Sequence, residues 1–169
     1  MDVDDLLIEA LGRVAEHVDE IADGLTVEDL TATVVPGTNT IGWLVWHLTR
    51  VQDHHVSELL DAEQLWVGES WGDRFGVASD PHETGYGHGP DDVATIRPES
   101  VDALVGYYRA VAARTVELLR RTTADDLDRV VDERWDPPVT LGVRLTSVID
   151  DDVQHAGQAK YLKGLLHPG

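Results

Sequence analysis

Four stretches of this chain repeat their apolar residues at the three- and four-residue spacing of an α-helix, and little of it alternates as a half-buried strand does. The first runs from Asp4 to Ala22 through Leu7, Leu11, Val14, Val18 and Ile21, with Gly24 placed to cap its end. The second starts at Ile41, where Thr38, Asn39 or Thr40 can cap it, and continues through Leu44, Leu48, Val51, His55 and Leu59 to about Glu63. The third follows a capping Ser100 and passes through Leu104, Tyr107, Tyr108, Val111, Thr115, Leu118 and Leu119 to near Thr122. The fourth begins near Leu145 and ends at His167, before Pro168. Without repeats, low-complexity tracts or a domain linker, the expectation is a single all-α domain over residues 1–169. Its architecture is an antiparallel four-helix bundle.

What lies between the helices is less regular. From Trp66 to Pro98, Gly68, Gly72, Gly76, Gly85, Gly87 and Gly89 punctuate the aromatic residues Trp66, Trp71, Phe75 and Tyr86. Long loops inside compact domains are usually functional or disordered, and disordered segments are poor in aromatic residues. An ordered loop packed over one end of the bundle is therefore expected. The segments TVEDLTATVVPGTNT and ADDLDRVVDERWDPPVT read as connections.

The balance of 32 acidic against 13 basic residues, a formal net charge of −19, repels phosphate backbones and argues against a nucleic-acid partner. The longest apolar run, between Thr40 and Thr49, is too short to span a membrane, and the start MDVDDLLIEA lacks the basic opening of a secretory signal. A soluble, cytoplasmic protein is expected. There is no cysteine, so thiolate ligation and a cysteine nucleophile are excluded. Any thiol chemistry here requires a thiol carried in by a second molecule.

The last helix holds an anomaly. In VIDDDVQHAGQAKYLKGLL, Val148, His155, Ala159, Leu162 and Leu166 share one face; Asp151 and Asp152 flank His155 on it, while Asp150 points away. A lone buried carboxylate is expensive to ionise, and a bound cation beside it offsets the desolvation. Asp151 and His155 lie four residues apart, which sets their Cβ atoms roughly 5–6 Å apart on one face. A carboxylate oxygen and an imidazole nitrogen can then converge on one ion. The same pair also fits a plain helix-face ion pair. A third ligand has to come from elsewhere, and His47, His54 and His55 of WLVWHLTRVQDHH are the candidates. The helical wheel favours His55, at the centre of the apolar stripe, over His47, about 80° away at its edge, without excluding His47. His17, His82, His88 and His167 have no evident partner and read as solvated or loop residues.

WLVWHLTRVQDHH in the second helix, combined with D-x-x-x-H-x-G-Q in the fourth, resembles the DinB-like superfamily. Within it, the chain resembles the mycothiol and bacillithiol S-transferases and the N-terminal domain of mycothiol-dependent maleylpyruvate isomerase. The resemblance spans nearly the whole chain. It implies a four-helix bundle with a divalent metal, commonly zinc, at one end. The family's first histidine precedes a Leu-Ala-Arg-like run, which maps onto His47 followed by Leu48, Thr49 and Arg50. The other two ligands map onto Asp151 and His155, and Gly157 and Gln158 match the motif that follows. Many members carry histidine at the position of Asp151, and the isomerase type carries glutamate. Because aspartate is one methylene shorter than glutamate, Asp152 competes for the carboxylate role. Two imidazoles and one carboxylate also suit nickel or iron.

Three protein ligands leave a fourth position for water or substrate, the arrangement of catalytic rather than structural zinc. A thiol coordinated there is deprotonated outright, and the thiolate is the nucleophile. The resemblance therefore implies a transferase that activates a mycothiol-like thiol for attack on an electrophile. Trp71, Asp73 and Arg74, in the aromatic loop, are the candidate substrate-binding residues. Metal-assisted hydrolysis uses the same vacant position, and a non-catalytic, metal-stabilised binding domain is the remaining alternative. Bundles of this kind often pair, so the resemblance also implies a homodimer.

Overall fold

The structure, a computed structural model, describes residues 1–168. The four long helices are α1 (Val3–Ala22), α3 (Ile41–Leu60), α6 (Val101–Leu119) and α7 (Leu141–Leu166). Short elements occupy segments that read as connections or loop in the sequence. These are α2 (Val27–Thr31), α4 (Leu65–Gly68), α5 (Pro90–Val93), and the strands β1 (Val130–Asp132) and β2 (Val139–Thr140), with 3₁₀ turns at Trp71–Phe75 and Ala124–Asp128. The strands pair antiparallel as a small hairpin, with Val130 opposite Thr140 and Asp132 opposite Val139. It lies beside the start of α7, and Arg144 reaches from α7 to Asp132 at 2.9 Å.

Local chemistry sets most helix ends. Thr40 accepts a hydrogen bond from the Trp43 N–H and starts α3, and Ser100 does the same for α6 through Ala103. The fourth helix starts earlier than its apolar period suggests. Thr140 caps it and the hairpin delivers the chain directly into Leu141, so a whole extra turn forms ahead of Leu145. α3 stops at Leu60 rather than Glu63, because Asp61 turns into the left-handed region at φ 50°.

The helices form a ring in which α3 packs on α6 and α7, and α1 packs on the same two. Their cross-contacts give their directions. Leu44 shares a pocket wall with Leu162 and Leu165, while His55 meets Arg144, so α3 and α7 run antiparallel. Arg50 meets Tyr107 and Ser57 meets Arg114, so α3 and α6 run parallel. His17 and Glu20 approach Lys160, and the Asp23 carbonyl meets Lys163, so α1 and α7 are parallel also. Asp19 meets Arg109 while Asp2 lies near Arg120, which makes α1 and α6 antiparallel. Two neighbouring pairs of the bundle are thus antiparallel and two are parallel.

That topology explains the long loop. A chain leaving α3 must travel back about 30 Å, the length of a 20-residue helix, before α6 can run in the same direction. The loop climbs α3 in order. Leu65 and Trp66 bond to Asp53, Pro81 and Glu83 to Arg50, Thr84 to His47, and His88 to Trp43, and Pro98 ends beside Gly42. It therefore lies along the flank of α3 rather than over one end of the bundle as expected. Covered on three sides, α3 is buried at every position from Ile41 to Arg50. Arg50 and Asp53, both fully buried, sit at the centre of this seam. Asp53 accepts from the Leu65 and Trp66 amides and from the Tyr107 hydroxyl at 2.8–3.0 Å. Arg50 donates to Gln64 and to the Glu83 and Pro81 carbonyls at 2.8–3.3 Å, with its guanidinium 5.1 Å over the Trp66 ring. Paired and hydrogen-bonded throughout, these charges tolerate burial. Among the described residues, no helix is long and apolar enough to cross a membrane.

Candidate metal centre

Antiparallel packing of α3 on α7 brings His47 against Asp151 and His155. One donor atom from each of the three lies within 4.8 Å of the other two. Asp151 Oδ1 is 3.9 Å from His47 Nε2 and 3.5 Å from His155 Nε2. Ligands about 2.1 Å from a tetrahedral zinc ion stand about 3.4 Å apart, so the observed spacing matches such a centre with slight relaxation. Asp151 Oδ2 is buried and has no hydrogen-bond partner. An orphaned carboxylate oxygen beside two aimed imidazoles is what a cation would satisfy.

Both imidazoles are held from behind. His47 Nδ1 bonds the Thr84 carbonyl, and His155 Nδ1 bonds Gln158 Oε1 at 2.9 Å. These oxygens only accept, so each Nδ1 carries the hydrogen and each Nε2 presents its lone pair inward. Metal-ligating histidines are oriented in this way. The Trp43 indole stacks on His47 at 4.7 Å, nearly parallel to it, and meets the His155 ring edge-on at 6.2 Å. Burial pushes the His47 pKa down, against the Thr84 hydrogen bond and the charge of Asp151, which favours the neutral, ligating imidazole. At His155 burial works in the same direction. There, however, Asp151 and Gln158 both stand as acceptors for the protonated ring, and with the Asp151 charge they carry the pKa above its usual value.

The other aspartate candidate goes elsewhere. Asp152 is fully buried on the core-facing side of α7, outside the triad, with neither oxygen hydrogen-bonded. Burial, and then the charge of Asp151, holds its carboxyl well above the usual range, so it is the neutral acid that the apolar core accommodates. Asp150 is exposed and accepts from Gln154. His55, which the wheel favours, lies two turns beyond His47 and faces Arg144, with Nε2 3.3 Å from the guanidinium. With His54 and Glu58 it forms a second group of close donor atoms. Arg144 at His55 and Arg134, 3.7 Å from Glu58, already supply the positive charge there.

A cavity of about 390 Å³ opens from His47 and Asp151, and His54, His55, His82 and Ser147 line it further out. Trp71, Asp73 and Arg74 are not among its walls. Trp71 packs on Tyr107 and donates to Glu69, Arg74 pairs with Glu99 at 2.6 Å and covers the Trp71 ring, and Asp73 is exposed. The part of the loop that reaches the site is Pro81–His88. The aromatic cluster around Trp71 instead serves the α6 side, because the loop must first cross that side on its way up the bundle. His82 and His88, read as solvated or loop residues in the sequence, do lie in the loop; His82 is exposed at the cavity wall and His88 bonds Trp43 behind the centre. Their signal was the spacing of histidine and glycine in PHETGYGHG, which follows no helical period.

The family model for the mycothiol S-transferases matches residues 6–168. A search of curated proteins finds no match. Among solved structures, the conserved protein of a locus from Enterococcus faecalis is similar, with a TM-score of 0.89 and 34% identity over 98% of this chain and 97% of that one. With the bundle, the match over nearly its whole length and the motif residues in place, the chain belongs to the DinB-like mycothiol S-transferase family.

Proposed function

We propose that the protein joins a small thiol to an electrophile at a divalent metal, zinc, held by His47, Asp151 and His155. The observation that carries this reading is the convergence, at ligand spacing, of two rear-anchored Nε2 atoms and the Asp151 carboxylate, whose buried Oδ2 has no hydrogen-bond partner. When bound there, zinc supplies the acidity that strips a thiol of its proton near neutral pH. The chain has no sulfur nucleophile of its own beyond one methionine, so the thiol is a cosubstrate. In the reaction the S–H bond breaks, a C–S bond forms, and the electrophile either loses its leaving group or, if it is an activated alkene, takes up the proton.

The residues around the centre suit a hydroxyl-rich thiol of the mycothiol type. Burial, followed by the charges of Arg144 and His54, brings the His55 pKa down to about 4, and burial lowers that of His54 as well. Near pH 7 His54 and His55 therefore present neutral imidazoles to the cavity, with Ser147, Thr84 and Tyr86 adding hydroxyls. Neutral donors and acceptors pair well with sugar hydroxyls. They offer little to the carboxylates of a peptide thiol, which the −19 overall charge also repels.

The test is a conjugation assay with a reactive fluorescent electrophile, run on zinc-loaded protein with mycothiol, bacillithiol and glutathione in turn. Turnover with mycothiol that disappears on chelation and returns with zinc supports the proposal. Hydrolysis of ester substrates with no thiol accepted would replace it with the hydrolase reading. Zinc binding that raises thermal stability without any turnover would leave a binding domain.

A further inference from the structure

The strap Glu83–His88 holds the rear of the metal centre through a relay that ends on Trp43. Its Gly85 has φ 89° and lies flat on three rings. A Cβ there would come within 2.8 Å of Trp46, 2.9 Å of His47 Nδ1 and 3.0 Å of Trp43. The neighbouring Thr84 carbonyl receives the His47 Nδ1–H. The Glu83 carboxylate ties the strap to itself, accepting from the Gly85 amide at 2.8 Å and lying 3.0 Å from His88 Nε2. At the far end the Trp43 indole N–H donates to His88 Nδ1 at 3.0 Å. An indole nitrogen only donates, so His88 Nδ1 accepts and its Nε2 carries the hydrogen toward Glu83. The His88 ring also stacks on Trp46 at 6.0 Å. The result is one directed chain, Gly85 and His88 onto Glu83, Trp43 onto His88, with the Trp43 indole stacked nearly parallel over the imidazole of His47.

The geometry assigns His88 as a positioning residue of the metal centre, acting through Trp43 and Glu83 and not as a ligand. Its ring is outside the triad and has both nitrogens engaged. Once the indole is anchored it cannot tilt, so one face of His47 stays covered and its Nε2 stays aimed at Asp151. Once the strap is knotted by Glu83, the Thr84 carbonyl stays within reach of His47 Nδ1. This inference rests on the metal centre proposed above. It adds that ligand orientation there depends on a loop histidine about 40 positions further along the chain.

Zinc affinity, measured by competition with a chromophoric chelator, tests the relay together with thermal unfolding of the metal-free protein. His88→Phe keeps the ring stack and removes both hydrogen bonds; it should weaken zinc binding about 10–100-fold, as loss of an outer-shell partner does. His88→Asn places an amide oxygen where Nδ1 stood, retains the Trp43 bond, and should recover most of that loss. Cobalt-loaded His88→Phe should show an altered visible absorption band, since the ligand field changes when His47 is free to turn. A purely structural role would lower the melting temperature of metal-free His88→Phe while zinc affinity and the cobalt band stayed at wild-type values, and that result overturns the proposal. His47→Ala, which removes a ligand outright, marks the floor of the scale. If wild-type protein itself takes up no zinc, the metal centre falls and the relay with it. If wild type binds and His88→Phe binds equally well, only the relay falls.

Discussion

Single side chains at this site differ in what their loss should do. His155→Ala removes a donor atom and should leave a protein that folds but does not retain zinc through desalting. Gln158→Leu keeps every ligand and removes only the acceptor at His155 Nδ1; zinc affinity should fall about 10–100-fold, read by the same chelator competition. Asp53 is a different case. It compensates the fully buried Arg50 and satisfies two loop amides, so Asp53→Ala strands a charge in the core. A loss of about 3–5 kcal/mol in urea unfolding is expected, most of it from the uncompensated guanidinium. Of these residues the sequence marked His47, Asp151, His155 and Gln158, because motif spacing carries them. Asp53 and Arg50 lie in the same helix but bond to loop and α6 groups that follow them by between 12 and 57 positions, and no local pattern reports that.

At the scale of an element, the strap is where sequence and structure part most. Periodicity describes a segment by its own repeat, and Pro81–His88 has none; its conformation is dictated by the rings of α3 beneath it. Gly85 and Gly87 offer a direct comparison. Both have positive φ, but an added Cβ at Gly87 meets nothing within 4 Å, whereas at Gly85 it meets three rings. Gly87→Ala should therefore show only the backbone strain of the left-handed region, about 1–2 kcal/mol. Gly85→Ala should destabilise further and also weaken zinc binding, because the strap must lift off His47. Thermal melts and zinc titrations of the two variants, side by side, separate strain from contact. The helix ends are simpler, since capping is local. Thr140→Ala should remove about 1 kcal/mol from stability by chemical denaturation.

For the whole molecule, pH and metal are the levers. Packed between α3, α7 and the hairpin, His55 resists protonation until about pH 4, while in the unfolded chain it protonates near 6.5. The stability this contributes is complete above pH 6.5 and is lost as the pH falls from there to about 4, on the order of 3 kcal/mol at most. His54 and His47 shift the same way and steepen the same limb. Unfolding free energies at pH 7.5, 6.5 and 5.5 should decline accordingly, and His55→Gln should flatten the decline. On the proposed reading zinc would bind only the folded triad, so at one hundred times its dissociation constant it should add about 2.7 kcal/mol, seen as a higher melting temperature that chelation reverses.

Four amphipathic helices, the caps at Thr40 and Ser100, and a D-x-x-x-H pair that a third histidine could complete were all legible in the order of residues, because each depends on neighbours within a turn or two. The directions of the helices were not. Parallel packing of α3 and α6 follows from contacts such as Arg50 with Tyr107, 57 positions apart, and that packing makes the loop run the length of the bundle. Position on the wheel favoured His55 because it measures one helix against an assumed partner. Only with α7 laid antiparallel across α3 does His47 meet Asp151 and His155 while His55 meets a guanidinium. Local sequence sets which faces are apolar and where helices begin, but the choice among side chains on those faces is made by what the rest of the chain brings opposite them.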